Sequence, residues 1–459
     1  MCATSPRSSI PEALAVSPVT VDLVLANGWV VTCDPRHTTI RNGALAIDNG
    51  TIAAVGTVEE IGRYYSGRHV VDLSDHLLLP GLINAHTHAA MTCFRGLADD
   101  LPLQEWLHQV IFPAEGMHVN PELVTHGTLL AAAEMLTNGV TTVCDSYFFE
   151  QYAAQAFLES GMRAVLAQGI LDFPTPDQPV PTRMRDHARE FLDRFPSSEG
   201  RLRPSLFCHA PYTCSPDTMQ WVKDLCRQHG MIFQTHLSET AAEVRELQQR
   251  YGERPALFLR RLGILDQATL CAHGVWLDAE EIQCLAEHRV ALVHTPESNM
   301  KLASGIAPLP TILAAGIRVG LGTDGCASNN DLDLFAEMGM AARCHKAFSG
   351  DPVVASAREV LHMATLNGAR ALGWDSEIGS LEVGKQADIV AIDLRKPHLT
   401  PLYDPISHLV YAASGSDVTH VWVAGQEVVI GGELMTVDVK AVMAEVRRLA
   451  AVIGAGQTR

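Results

Sequence analysis

An α/β fold, a (β/α)8 or TIM barrel carrying a small β-sandwich domain built from the N- and C-terminal segments, is predicted by three observations. Eight short, nearly continuous apolar runs follow one another between residues 82 and 325, as parallel strands covered on both faces do. Helix-like stretches separate most of them, and eight β/α alternations suit a closed barrel. The flanks instead show short strands and turns, and each is too short to bury a core alone, so the two most simply pair.

Taken in order, residues 1–20 (MCATSPRSSIPEALAVSPVT) hold three prolines and many small polar side chains. They read as a disordered N-terminus without the apolar core of a signal peptide. Residues 21–79 form the first part of the β-domain, in VDLVLANGWVVT, GALAIDNGTIAAVG and HVVDLSDHLLLP, with hairpin turns signalled at Asn27-Gly28 and Asn49-Gly50. The barrel occupies residues 80–375. Its strands are LINAHTH (82–88), TTVCDS (141–146), AVLAQGI (164–170), LRPSLFCHA (202–210), MIFQTHLSE (231–239), TLCAHGV (269–275), VALVHTPES (290–298) and IRVGLGTDG (317–325). The helical stretches 121–138, 216–229 and 308–315 start with proline and end near glycine. β-Texture returns at 376–438, and 439–459 reads as a C-terminal helix and tail.

Composition narrows the function classes. With 47% hydrophobic residues, the chain can bury a large core. A formal charge of −18 would repel a phosphate backbone, so nucleic acid is not expected as a partner. The 11 cysteines are scattered, without a C-x-x-C pair, as in a reducing compartment. The apolar run 77–94 is cut by Pro80-Gly81 and contains His86 and His88, so it is no membrane span. A cytoplasmic protein with no membrane partner is the expectation.

The strand ends carry the chemistry. Seven of the eight finish in or near a reactive polar residue: His86/His88, Asp145, Gln168, His209, His236, His273 and Asp324. One such histidine would ordinarily be a hydrogen-bonded core residue; the recurrence along the C-terminal rim, where barrel active sites lie, outweighs that reading. His86 and His88, two apart on a strand, share a face. His236 and Asp324 are the natural further ligands, and three imidazoles with a carboxylate suit Zn2+ or Fe2+ better than Mg2+ or Ca2+.

PGLINAHTH, THLSE, AHG and GTDG resemble the amidohydrolase superfamily, whose metal sits in such a barrel beside a split β-domain. More narrowly, HTHAAMTCFRGLADDLPLQEWL (86–107) is similar to the 5-methylthioadenosine/S-adenosylhomocysteine deaminases. The resemblance implies one zinc per chain, because Glu239 follows His236 by three residues and strand four ends in Cys208-His209 without a bridging lysine. His273 as a ligand of a second metal is the minority alternative. It also implies roles. Asp324 would take the proton of the attacking water, Glu239 would carry protons to the ring nitrogen and the leaving amine, and His273 would stabilise charge on the attacking oxygen. Glu239 and Asp324 would thereby also touch the substrate.

For substrate binding, the resemblance puts Glu115 at the ribose hydroxyls and His209 at the purine, with Trp106 as an apolar wall; a helix residue packed on the barrel is an equal reading of Trp106. Where S-adenosylhomocysteine enzymes of the family place carboxylate-gripping arginines, this chain has Gln168, with Arg183 or Arg185 as replacements. Family members often self-associate, so a homo-oligomer is a further expectation.

The expected function is thus a metal-dependent aminohydrolase acting on cyclic amidines. It would deaminate adenine nucleosides (5′-methylthioadenosine, S-adenosylhomocysteine or adenosine) to the inosine analogue and ammonia. The rivals are deamination of guanine or a pterin, a triazine-type chlorohydrolase, and a metal-free scaffold protein on the same fold. There is no H-E-x-x-H helix and no P-C-x-x-C of the cytidine-deaminase type.

Overall fold

The computed structural model describes residues 17–195 and 200–457. Eight parallel strands pair in chain order around the barrel: Leu82–Thr87, Val140–Tyr147, Arg163–Ile170, Leu202–Cys208, Phe233–Leu237, Thr269–His273, Ala291–His294 and Arg318–Leu321. Nearly every residue in them is buried, which is why they read as unbroken apolar runs rather than alternating ones. The seam between the last and first strands is closed largely by polar groups. Asn84 donates to Thr323 Oγ1 (2.8 Å) and accepts from its N–H (3.1 Å), while the Asp324 N–H donates to the His86 carbonyl (3.1 Å). A side chain at Gly322 would bring its Cβ within 2.7 Å of that same carbonyl oxygen. Only glycine lets the seam approach so closely.

The barrel helices form where the caps announce them. Ser215 accepts from the Thr218 N–H, Pro216 opens the helix Pro216–His229, and Gly230 ends it at φ +66°. Asn120 caps Pro121–Thr137 in the same way, and a short helix, Leu309–Ala314, precedes the last strand.

Both chain ends meet in one nine-stranded mixed sheet. Its junction is His76–Pro80, antiparallel to Ile389–Asp393 and parallel to Trp29 and Val30. Leu25, Leu45 and Ile47 from the N-terminal segment share a buried cluster with Ile389 and Trp422 from the C-terminal one. The first strand, Val19–Val31, starts inside the stretch expected to be disordered, because Val19 and Thr20 pair with Tyr65 and Ser66. The rest of that stretch, residues 1–16, lies outside the described residues.

One turn signal is corrected. Asn49-Gly50 does turn a hairpin, with Asp48 facing Thr51 and both turn residues at positive φ. Asn27-Gly28 instead forms a bulge within Val19–Val31, between the Leu25 and Gly28 pairings. A Cβ at Gly28 would lie 2.8 Å from the Leu78 side chain, so this glycine serves close packing rather than reversal. The C-terminal helix, Val439–Gln457, packs on Pro121–Thr137. Among the described residues no helix is long and apolar enough to cross a membrane.

A buried ion pair locks the sheet to the barrel. Arg163, at the start of the third barrel strand, makes a two-pronged contact with Asp388 (3.0 Å each), and both side chains are only 3% exposed. Asp388 also accepts the Ala424 N–H (2.7 Å). Arg163→Met leaves that carboxylate buried without its cation, and such truncations cost about 3–5 kcal/mol. A clear fall in the urea midpoint is expected; an unchanged midpoint would refute the locking role.

Candidate metal centre and active-site cavity

The expected rim residues converge at the C-terminal mouth of the barrel. His86, His88, His236 and Asp324 each direct one donor atom into a group in which all four atoms lie within 4.8 Å of one another. His86 Nε2 is 3.2 Å from His236 Nε2, and Asp324 Oδ1 is 3.2 Å from His88 Nε2 and 3.6 Å from His86 Nε2. His273 is outside this four-donor group.

Neighbouring groups aim the donors. His88 Nδ1 donates to the Ser146 carbonyl (2.5 Å), which leaves the Nε2 lone pair facing inward. Ser298 and Ser328 donate to Asp324 Oδ2 (2.7 and 2.8 Å), so Oδ1 is the oxygen left for the imidazoles. Asp324 adopts φ +60°, an uncommon conformation for a residue with a side chain that the surrounding bonds must hold in place.

The electrostatics agree with a ligand set. Burial, reinforced by the neighbouring imidazoles, lowers His86 to about 4 and His236 well below its ordinary value, so both are neutral with free lone pairs. Burial opposes ionisation of Asp324, but hydrogen bonds with His86 and His88 outweigh it and hold the carboxyl well below its usual range. Two bare imidazole nitrogens at 3.2 Å repel each other unless a proton or a cation lies between them. His88 differs: burial lowers it, but the hydrogen bond and charge of Asp324 outweigh burial and raise it above its ordinary value, so a cation bound there would displace its proton. Three imidazoles and one carboxylate fit a borderline divalent cation, zinc in particular.

Two groups flank the centre. Glu239 follows the fifth strand; its backbone N–H donates to Glu243 Oε2 (2.8 Å) and that of Ser238 to Glu243 Oε1 (2.9 Å). This clamp leaves the Glu239 side chain to face the cavity, where Ser304 Oγ donates to its Oε1 (3.3 Å). Burial raises the Glu239 carboxyl above its ordinary value, although His273 opposes the shift. His273 ends the sixth strand, and its Nδ1 is held by Asn299 Oδ1 (2.9 Å) and Thr295 Oγ1 (3.0 Å). Its Nε2 faces Glu239 Oε2 at 3.8 Å.

The centre forms the floor of a cavity of about 700 Å3, counting all atom-free space out to its mouth. Glu115, His209, Trp106, Glu239 and His273 line it. Glu115, on the helix Phe112–His118, accepts from the Tyr147 hydroxyl (2.6 Å), and burial pushes its carboxyl up to about 7. His209 Nδ1 meets Thr213 Oγ1 (3.0 Å), and its ring lies edge-on to His236, 4.9 Å away. Trp106 is buried, with Nε1 donating to the Ala98 carbonyl (3.1 Å). It thus packs on the barrel and lines the cavity at once.

Arg183 does not reach the cavity. It is exposed in the turn Pro181–Arg183, and Arg185 pairs with Asp217 (2.5 Å). Asp177 is the reason. It accepts from Gln168 Nε2 (2.7 Å), the Phe149 N–H (3.0 Å) and Thr175 Oγ1 (2.7 Å), folding the proline-rich loop against the third strand and leaving the arginines outside. Sequence reasoning missed Ser298, Ser328, Asn299, Tyr147, Phe207 and Glu243. Ser298 and Asn299 carried a readable signal: they follow the seventh strand, the one rim position to which no polar residue was assigned.

Comparison with known proteins yields concordant matches. The sequence profile of the Amidohydrolase family matches residues 77–428. A 5-methylthioadenosine/S-adenosylhomocysteine deaminase from Syntrophobacter fumaroxidans is 48% identical over 433 residues, covering 94% of this chain and 98% of the relative. The crystal structure of a zinc-bound adenosine deaminase from Xanthomonas campestris superposes with a TM-score of 0.93 at 40% identity, covering 96% of this chain and all of that one. Atrazine chlorohydrolase from Arthrobacter aurescens, in complex with zinc, gives 0.86 at 25% identity over 93% of this chain and all of its own.

Proposed function

Because the chain belongs to the amidohydrolase family, we propose that its cavity hydrolytically deaminates adenine nucleosides, releasing the inosine analogue and ammonia. One observation carries the reading. A buried carboxyl with a raised pKa, Glu239, stands beside His273 over a centre of three imidazoles and one carboxylate. Hydrolysis of an amine needs that combination, because the leaving nitrogen must be protonated before it departs.

His86, His88, His236 and Asp324 would hold a zinc ion, which would supply an acidified water and a positive charge against the negative charge developing on the attacking oxygen. Asp324, its carboxylate oriented by Ser298 and Ser328, takes the water's proton. Glu239, whose carboxyl burial raises above its ordinary value, delivers its proton to the ring nitrogen as the water adds to the neighbouring carbon. The carboxylate so formed collects the proton of the added hydroxyl and hands it to the amine, the C–N bond breaks as ammonia leaves, and the proton held by Asp324 restores Glu239. His273, oriented by Asn299 and Thr295, presents Nε2 to the attacking oxygen. Glu115 offers a carboxylate to a pair of ribose hydroxyls, and His209 meets the purine ring.

The nucleosides named by the relatives, methylthioadenosine, S-adenosylhomocysteine and adenosine, are the candidate substrates. The test is ammonia release by the zinc-loaded protein with these three, guanine, a pterin and a chlorotriazine. Deamination of at least one adenine nucleoside and none of the others is expected. Turnover confined to guanine, the pterin or the triazine would replace this reading.

A further inference from the structure

Resting on the deaminase reading above, we propose that the cavity accepts adenine nucleosides with a neutral 5′ substituent and rejects those whose 5′ group carries an amino-acid carboxylate. The charge inventory of the wall decides this. Among the described residues lining the cavity there is no lysine and no arginine, whereas Glu115, Glu239 and Asp324 all face it. Much of the remaining surface is apolar, formed by Leu103, Leu107, Ile111, Phe112, Phe148 and Leu171.

Cations on the surrounding loops are engaged elsewhere. Lys301, next to the cavity residue Leu302, pairs with Asp99 (2.6 Å). Arg95 is bound to Glu134 and to the Asn330 carbonyl. Arg183 is exposed, and Arg185 lies over the Trp221 ring and pairs with Asp217. The hydroxyls of the wall are largely committed as well: Tyr147 to Glu115, Ser328 to Asp324 and Ser146 to Gln234. Tyr212 remains as a neutral donor.

A homocysteine tail brings both an ammonium and a carboxylate. Its ammonium could meet Glu115, but its carboxylate would be desolvated against an apolar wall with no lysine or arginine to receive it. A methylthio or hydroxymethyl group carries no such penalty, and the thioether suits the apolar wall.

The test compares kcat/KM of the zinc-loaded protein for methylthioadenosine, adenosine, S-adenosylhomocysteine and 5′-butylthioadenosine, a neutral thioether of similar reach. Calorimetric binding of the methylthioinosine and S-inosylhomocysteine products runs beside it. S-adenosylhomocysteine is expected to fall at least about 100-fold below both thioethers, and the products are expected to bind in the same order. Turnover of S-adenosylhomocysteine within tenfold of methylthioadenosine would overturn the proposal. So would an equal loss with the butylthio compound, since length rather than charge would then decide. If no nucleoside were deaminated, the deaminase reading itself would fail, and the product affinities would still decide the specificity.

Discussion

Replacing His236 with alanine is expected to strip the protein of stoichiometric zinc and to lower kcat/KM by at least about 10^3-fold, because water is no longer acidified to the neutral range. The imidazole stands at the end of the fifth strand with Nε2 3.2 Å from that of His86, so its loss removes one of the four donors. Its ring also packs edge-on against Phe207 (4.9 Å) and His209 (4.9 Å), and the variant could lose local packing. Chelation of the wild-type protein supplies an arm free of that effect: activity should vanish and return with added zinc. Metal content by elemental analysis and ammonia release are the two readouts. A variant that kept full metal and rate would remove His236 from the centre, and a wild-type protein that bound no zinc and released no ammonia would favour the metal-free scaffold reading.

Glu239→Gln should separate metal binding from chemistry. The amide keeps the shape and can still meet Ser304, while the loop is held by Glu243 through backbone N–H groups that the substitution does not touch. Zinc content and thermal midpoint are therefore expected to be unchanged, or the midpoint slightly raised, since a buried ionisable group is removed. Turnover should fall by about 10^2 to 10^4-fold, the usual contribution of a positioned proton carrier. In the wild type, burial raises the Glu239 carboxyl, so the protonated, competent form persists at higher pH than for an exposed glutamate. Activity that depends on it should decline as pH rises through that raised value, and the residual rate of the glutamine variant should lack this limb. Wild-type kcat in the variant would assign proton delivery to another group.

Much of the architecture was legible in the sequence because barrel strands leave a local signature. Each is buried on both faces and reads as an apolar run, most helix starts carry a cap or a proline, and the side chain at each strand end falls on the rim. The convergence of His86, His88, His236 and Asp324 follows from those rules together with closure of the barrel. The Asn27-Gly28 bulge shows their limit. The dipeptide only permits positive φ, and whether it reverses the chain or kinks it depends on what packs opposite, here Leu78.

The sequence by itself determined the strand order, the composite β-domain and the four donors at the rim, since each is assembled from local patterns: an apolar run, the turn or cap beside it, and the polar residue at its end. Only the tertiary structure decided what surrounds them: Ser298 and Ser328 on Asp324, Glu243 beneath Glu239, Tyr147 on Glu115, and the exclusion of Arg183 from the cavity. Those contacts join segments far apart in the chain through loops whose paths follow no repeating period. Hydrogen bonds such as those around Asp177 set the loop conformation, and that conformation fixes which charges the cavity presents.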